Sequence, residues 1–440
     1  MFLNGLKLSN QAFPVTLERM PQLLIFEDTG YQNLLPLTAT RPSFLLRMGF
    51  GTVASRIQSL FAEPPSYFYC RTNLHHVVQA SFPDSTLNHV PKGGAVLLLN
   101  GRVWPDKDLV HRLMLLDTTK PSLLVSDGQV VALLLQDADL LDRAEQFLNR
   151  MASATEWIQA FRHMSIVQEV ENVHWINHLW DVIALNPMAL ATSFDSWQDK
   201  GLIKGKLGSS VSITQESQVY VGQQSVIEDF VYIDSQSGPV CIGDHVYIQS
   251  HTRLQGPLYI GDHTHVLGGK LSRSSIGPWC KVAGEITDTI FAGYANKAHE
   301  GFIGHSYMGE WVNLGASTTV SNLKNTYGDI SILTPEMQGS TGQMFLGAIL
   351  GDHVKTGIGT RLNTGTVVGT GASIWGSSVH PKWIPYFAFG QGPDYDRYNL
   401  QKFLDVCDKV LARRNQVLST QDHHILQSLW ADSLDKNPIC

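Results

Sequence analysis

Residues 242–266 read IGDHVYIQSHTRLQGPLYIGDHTHV. An aliphatic side chain recurs at every sixth position: Ile242, Ile248, Leu254, Ile260 and Val266. Upstream, Val221, Ile227 and Ile233 keep the same step. Downstream, Leu350, Leu362, Val368 and Ile374 keep it too, with Thr356 as a polar exception. Glycine follows the ladder residue in Val221-Gly222, Ile242-Gly243, Ile260-Gly261, Ile276-Gly277, Leu350-Gly351 and Val368-Gly369. A six-residue period is too short for a helical hairpin and too regular for a meander. It predicts a parallel β-helix, whose short strands turn a corner and stack beneath the next coil. The glycines are expected to supply the positive φ of tight corners.

The chain of 440 residues exceeds one ordinary domain, and its 43% hydrophobic content supports sizeable cores. A net charge of -7 lacks the basic excess of a nucleic-acid binder. Five cysteines without a CxxC pair read as reduced thiols, so a cytoplasmic location is expected. No basic segment followed by an apolar run opens the chain, and no stretch approaches the length of a membrane span. Neither a signal peptide nor a membrane partner is expected.

Residues 1–20 read as an extension. Between 21 and 205, short apolar runs at Leu23–Phe26, Ala95–Leu99, Leu123–Val125 and Val130–Leu135 suit buried strands of a parallel sheet. Helical patterns near Gly51–Phe61, Asp106–Leu116 and Asp139–Met151 alternate with them, which argues for an α/β domain. Gly201–Ser210 reads as a linker into a β-helix over 211–390. Residues 321–346 break the period and read as an excursion from one coil. Leu400, Phe403, Leu404, Cys407 and Val410 sit at helical spacing, and Ser419 or Thr420 caps a second helix within 394–440. These helices cover the end of the solenoid or pack on a neighbouring subunit.

A β-helix names no reaction by itself. The stretch richest in chemistry is Asn296-Lys297-Ala298-His299-Glu300, followed by Asn313-Leu314-Gly315-Ala316 and Ser321-Asn322-Leu323-Lys324. Acyl transfer to an amine needs a base that works near neutral pH, donors for an oxyanion and, for a phosphorylated acceptor, cations. A lone histidine also fits a plain surface position, and spacing does not choose between the two readings.

The string and the ladder together resemble the acetyltransferase half of the bifunctional N-acetylglucosamine-1-phosphate uridylyltransferase/glucosamine-1-phosphate acetyltransferase family. The resemblance implies a left-handed parallel β-helix working as a homotrimer with acetyl-CoA in UDP-N-acetylglucosamine biosynthesis. The family's Lys-Ala-(Gly)-His motif is Lys297-Ala298-His299 here, without the glycine, which implies His299 as general base. Asn313 and Asn322 keep the family's nine-residue spacing, implying Asn313 on the amino sugar and Asn322 near the acetyl group or sugar. Lys281 stands where a phosphate-binding arginine is expected, and Lys297, Glu285 and Lys324 join the acceptor set. Gly357 and Gly376 fall where coenzyme A is lined. Phe302 replaces an expected tyrosine, and Leu323 an expected aromatic residue.

Leu34-Leu35-Pro36-Leu37-Thr38-Ala39-Thr40-Arg41-Pro42, Arg47-Met48-Gly49, Asn100-Gly101-Arg102 and Trp180–Asn186 are similar to the N-terminal domain of a bacterial variant of this enzyme. They imply a Rossmann-type, nucleotide-diphospho-sugar transferase-like fold. The family's Gly-rich triphosphate loop is absent. Thr38, Thr40, Arg41, Arg47, Asn100 and Arg102 are then the nucleotide-binding candidates. Asp181 is the metal candidate, for Mg²⁺ if the domain transfers a nucleotidyl group from UTP or dTTP. Two other readings stand beside this one. One is a metal hydratase of the carbonic-anhydrase kind, using His245, His251, His263, His265 and His305. The other is a protein whose N-terminal domain only binds sugar nucleotide.

Overall fold

The computed structural model describes residues 21–61, 66–376 and 378–436. The proposed extension, residues 1–20, lies outside the described residues. The chain divides into two compact units. Among described residues, the first comprises 21–34, 41–46 and 51–178, and the second 35–40, 47–50 and 179–436.

The first unit is built on a seven-stranded sheet: β1 (Gln22–Phe26), β2 (Tyr67–Tyr69), β3 (Thr86–Leu87), β4 (Val96–Asn100), β5 (Ser122–Ser126), β6 (Gln129–Leu135) and β7 (Ile166–Glu169). Their spatial order is β7-β5-β6-β4-β1-β2-β3. All pairs are parallel except those of β6, which runs antiparallel to both β4 and β5. The expectation of a parallel strand at 130–135 is therefore corrected. Asp127 and Gly128 both take positive φ, at 50° and 70°, in a two-residue hairpin loop, and such a loop can only join antiparallel neighbours. The predicted helices are α1 (Val53–Leu60), α3 (Lys107–Met114) and α4 (Ala138–Asn149). Two more, α2 (His75–Ser81) and α5 (Ala154–Phe161), were not in the pattern read from sequence. Leu141, Ala144 and Leu148 of α4 and Trp157 and Phe161 of α5 join Leu24, Leu98 and Leu133 in one apolar core.

The second unit opens with α6 (Asp181–Ala184) and α7 (Asn186–Asp195), then enters the β-helix. The stretch read as a linker is already its first coil, since Lys206–Leu207 pairs in parallel with Val226–Ile227. The ladder residues point inward and are buried, from Val221 through Ile242, Ile260 and Leu350 to Ile374. Thr356 stays buried with its hydroxyl sharing one hydrogen bond with that of Thr318 at 2.8 Å and accepting from Gly315 N at 3.1 Å.

The glycine expectation needs a physical correction. None of the six glycines that follow a ladder residue has positive φ; that conformation belongs two residues later, to His245, His263 and others. The glycines answer to stacking instead. A Cβ on Gly261 would come within 2.7 Å of Pro278 N, and one on Gly277 within 2.3 Å of Ala292 O. Coils spaced like neighbouring strands, about 4.8 Å apart, leave no room for it. The left-handed corner positions carry rings, which stack as His245, His263, Trp279, Tyr294, Trp311 and His353 with centroids 4.2–6.5 Å apart.

Residues 321–346 do leave the coil and form an antiparallel hairpin, Ser331–Leu333 with Gln338–Ser340. The last helices, α8 (Leu400–Ala412) and α9 (Thr420–Lys436), pack on their own chain. Phe403, Leu404, Cys407, Leu411 and Leu426 share a core with Ala39, Tyr386 and Phe387.

Candidate functional site

Five strands of the β-helix position the expected acyl-transfer residues: β8 (Lys281–Thr287), β9 (Asn296–Lys297), β10 (Phe302–Gly304), β11 (Asn313–Leu314) and β12 (Thr319–Val320). Parallel register puts His265, Lys281, Asn296, Asn313 and Lys355 side by side on one outward row. Asn313 is exposed, and its Oδ1 accepts from Asn296 Nδ2 at 2.8 Å. Lys281 is half-buried beside Asn296, and its ammonium has no hydrogen bond or ion pair among the described residues. Lys355 lies under α8, and burial pushes its pKa down. Asn296, quoted within the stretch richest in chemistry, was given no role from the sequence, and Lys355 was missed. Each immediately precedes an inward residue, but only Lys355 lies a whole number of six-residue steps from Asn313. The coils joining Lys281, Asn296 and Asn313 are irregular, so the step alone does not align them.

His299 lies in the turn between β9 and β10, exposed to solvent. Beside it, the Ser317 hydroxyl bonds Glu300 and holds that carboxyl below its ordinary range. Lys297 corrects the expectation of a phosphate contact. It occupies an inward ladder position, in register with Val282, and is 1% exposed. Its Nζ donates to the carbonyls of Ala283 at 3.0 Å and His299 at 2.7 Å. Burial lowers its pKa to about 8. The lysine therefore holds the backbone that carries His299 and does not face a ligand.

Beyond the next corner, Asn322 Nδ2 lies 2.9 Å from His305 Nδ1. His305 Nε2 lies 3.5 Å from Asp288 Oδ2, and Asp288 is held by both arms of Arg273 at 2.6 and 2.8 Å. None of Arg273, Asp288 or His305 was read as part of this site. Asn313 and Asn322 stand on opposite sides of the Ser317 corner, so one copy of the chain does not converge them. Glu285 is half-exposed and pairs with Lys270 at 3.4 Å. Lys324 donates to the carbonyl of Asp329 within the excursion.

The two glycines assigned to coenzyme A have local reasons to be glycine. A Cβ on Gly357 would meet Trp375 Cβ at 2.5 Å, and Gly376 has φ +115°. Trp375 and Ile358 beside them are exposed, Ile358 at 81%.

The nucleotide set is split between the units. Arg41, Asn100 and Arg102 belong to the first, while Thr38, Thr40, Arg47 and Asp181 group with the second. In the second unit, Thr40 Oγ1 donates to Asp352, and Arg47 donates from Nη1 to Phe50 O at 3.3 Å. Thr38 is fully buried, and Asp181 begins α6. In the first unit the Arg71 guanidinium bonds the carbonyl of Arg41 at 3.1 Å. Asn100 and Arg102 are buried in a network closed on itself. Arg102 grips Asp28 at 2.6 and 2.7 Å, Gln129 at 2.7 Å, and Asn177. Asn100 donates to Asp28 at 2.9 Å and accepts from Arg102 N at 3.0 Å. Burial opposes the Asp28 charge, but the Arg102 and Asn100 bonds outweigh it and hold the pKa below its ordinary value. The Arg102 guanidinium would lie 2.2 Å from a Cβ on Gly30, filling the space under the loop after β1.

Magnesium at nucleotide sites is usually held by one or two carboxylates and the substrate phosphates. The two carboxylates that follow β1 are both engaged by arginines: Asp28 by Arg102, and Glu27 by Arg71 at 2.9 Å. As arranged, they do not fit a magnesium site. Among the described residues no three His, Cys, Asp or Glu side chains gather around a metal position. His245 and His263 are instead rungs of the aromatic corner stack, and His251 stacks on Phe230. None of the described helices is long and apolar enough to cross a membrane.

Residues 23–200 match the family described as sugar nucleotidyl transferase. A bifunctional sugar-1-phosphate nucleotidylyltransferase/acetyltransferase from Sulfurisphaera tokodaii is 28% identical over 239 residues, 53% of this chain and 52% of that protein. The chain thus spans about half the length of the curated relative it matches. Among solved structures, Arabidopsis UDP-N-acetylglucosamine acyltransferase is similar at 13% identity and a TM-score of 0.28, over 49% of this chain and 77% of that one. AntD, an N-acyltransferase from Bacillus cereus solved with dTDP and 3-hydroxybutyryl-CoA, is similar at 16% identity and a TM-score of 0.19. That likeness covers 49% of this chain and 92% of that one.

Proposed function

We propose that the β-helix transfers an acyl group from acetyl-CoA to the amine of a sugar phosphate, glucosamine-1-phosphate or a close relative. The observation that carries this reading is the exposed His299, whose backbone is pinned by the buried Lys297 between the Asn313 row and the Asn322 corner. In the reaction, His299 takes a proton from the acceptor amine as the amine attacks the thioester carbonyl. The tetrahedral adduct collapses, the C–S bond breaks, and the coenzyme A thiolate leaves with a proton. Donors on the coil meet the oxyanion. Lys281, with no ion pair among the described residues, supplies a cation for the acceptor phosphate. Because Asn313 and Asn322 face different sides of a corner, the proposal has a second copy complete the site, in a homotrimer. Sedimentation as a monomer at micromolar concentration would contradict that part.

For the N-terminal domain, the family match supports nucleotidyl transfer from UTP or dTTP to a sugar-1-phosphate. The closed network around Asp28 and Arg102 favours a second reading, in which the domain binds a sugar nucleotide without turnover. Both halves are tested on the purified full chain. Free thiol is followed with acetyl-CoA and glucosamine-1-phosphate, and pyrophosphate with N-acetylglucosamine-1-phosphate, nucleoside triphosphate and Mg²⁺. Thiol without pyrophosphate selects the binding reading for the N-terminal half. No thiol with any amino-sugar phosphate contradicts the acyl-transfer reading.

A further inference from the structure

Histidine 305 has two neighbours that together dictate where its proton sits. On one side is Asp288, an acceptor-only group when ionised. Its Oδ1 and Oδ2 are fixed by the Arg273 fork at 2.8 and 2.6 Å, and Oδ2 also receives the Thr287 hydroxyl at 3.1 Å. The ring nitrogen facing it is Nε2, 3.5 Å from Oδ2; a hydrogen there meets the carboxylate favourably, whereas a lone pair would be repelled by it. On the other side is the Asn322 amide, 2.9 Å from Nδ1. With the proton on Nε2, Nδ1 presents a lone pair, and an amide satisfies a lone pair only with its NH₂. Asn322 must then turn Nδ2 inward and Oδ1 outward. The amide lies close against Gly304, where a Cβ would meet Nδ2 at 2.5 Å, and Phe302 borders the same spot. Phe345 stacks on the imidazole with centroids 5.1 Å apart, closing its other face.

We propose that His305 is a positioning residue that, locked by Asp288, presents Asn322 Oδ1 as a hydrogen-bond acceptor for the incoming amine or hydroxyl donor of the acceptor substrate. The assignment rests on the acyl-transfer reading, and it decides between the two partners open to Asn322. An outward carbonyl takes N–H or O–H groups and repels a thioester carbonyl. Asn322 therefore serves the acceptor and not the acyl group. Burial, which lowers the His305 pKa, favours the neutral ring that the relay requires.

The test compares His305→Leu, which removes both polar contacts, with His305→Gln, which keeps an acceptor towards Asn322 and a donor towards Asp288. For the Leu variant, kcat/KM for the amino-sugar phosphate should fall about tenfold, the size of one lost hydrogen bond. The KM for acetyl-CoA should stay unchanged, and the Gln variant should recover most of the loss. In an Asn322→Ala background, His305→Leu should cost nothing more. A Leu variant with normal acceptor kinetics, an equal loss in the Asn322→Ala background, or a Gln variant as poor as the Leu one overturns the proposal. A readout free of activity is the ¹⁵N spectrum of histidine-labelled wild-type protein near neutral pH, with His305→Gln assigning the signal. Protonated Nε2 with bare Nδ1 is expected, and the opposite tautomer overturns the relay. If the wild type releases no thiol with any amine acceptor, the acyl-transfer reading fails, and the tautomer alone then decides the relay.

Discussion

The corner at His299 and the loop after β1 are built from similar residue types and behave in opposite ways. Around Asp28, every strong group finds its partner inside the chain: Arg102 with Asp28, Arg71 with Glu27, Asn100 with Arg102 N. Around His299, only the supporting groups are satisfied inside, Lys297 on two carbonyls and Asp288 on Arg273. His299, Lys281 and Asn313 keep functional atoms facing outward. A polar residue near a strand end is thus a site candidate only where the chain leaves its hydrogen-bonding capacity unspent. Buried and fully paired, the same residue is structural.

This contrast is open to attack at both ends. The largest effect should come from Arg102→Met, which leaves Asp28 as a buried carboxylate without its cation. Loss of about 3–5 kcal/mol is expected, the cost of breaking one partner out of a buried pair. Urea unfolding of the full chain, followed by the tryptophans, would read it, and a near-neutral result would mean the network is not closed.

Lys297→Met should act next, in two ways. Activity should fall as the His299 backbone loses its anchor, read as kcat for thiol release. The dependence of stability on pH should also change. In the folded chain Lys297 titrates at about 8, below the ordinary lysine value, so between those two pH values the unfolded chain binds more protons. Wild-type stability therefore gains from Lys297 as pH rises through that window, and below pH 8 the gain is absent. The Met variant should lose this rise, measured as the difference in urea midpoint between pH 7.5 and 9.5. An unchanged difference would mean that Lys297 is not desolvated.

Asn313→Ala should weaken the acceptor, raising its KM by roughly tenfold, the size of one hydrogen bond, with the urea midpoint unchanged because the side chain is exposed. The smallest effect belongs to Glu285→Gln. Its exposed pair with Lys270 is worth about 0–1 kcal/mol. The KM for the amino-sugar phosphate should not move, and a clear rise would restore Glu285 to the acceptor site.

The sequence made the β-helix legible because inward packing demands one side-chain class at a fixed step, and that demand survives in single residues. The same step, followed one residue earlier, would have joined Asn313 to Lys355, while Lys281 and Asn296 reach that row across irregular coils and were not legible. The local step Phe291–Lys297–Ile303 would have marked Lys297 as an inward residue instead of a phosphate ligand. The first unit was less legible. Its antiparallel β6 hid in a continuous apolar run that reads alike in either direction, and only Asp127-Gly128 signalled the reversal. Helix α5 was announced by the Ser153 to Glu156 capping box, whose two hydrogen bonds the structure shows. His305 was not legible as a partner of Asn322. Their contact joins successive coils, with no sequence pattern that names a hydrogen bond, and no period predicts the two polar neighbours of its ring.

The most direct measurement is thiol release from acetyl-CoA with glucosamine-1-phosphate, comparing wild type with His299→Ala at matched urea midpoints. The account predicts acceptor-dependent release by the wild type and a loss of about 10²–10⁴-fold in the variant, the usual contribution of a general base. A folded His299→Ala protein that keeps full transfer would contradict it.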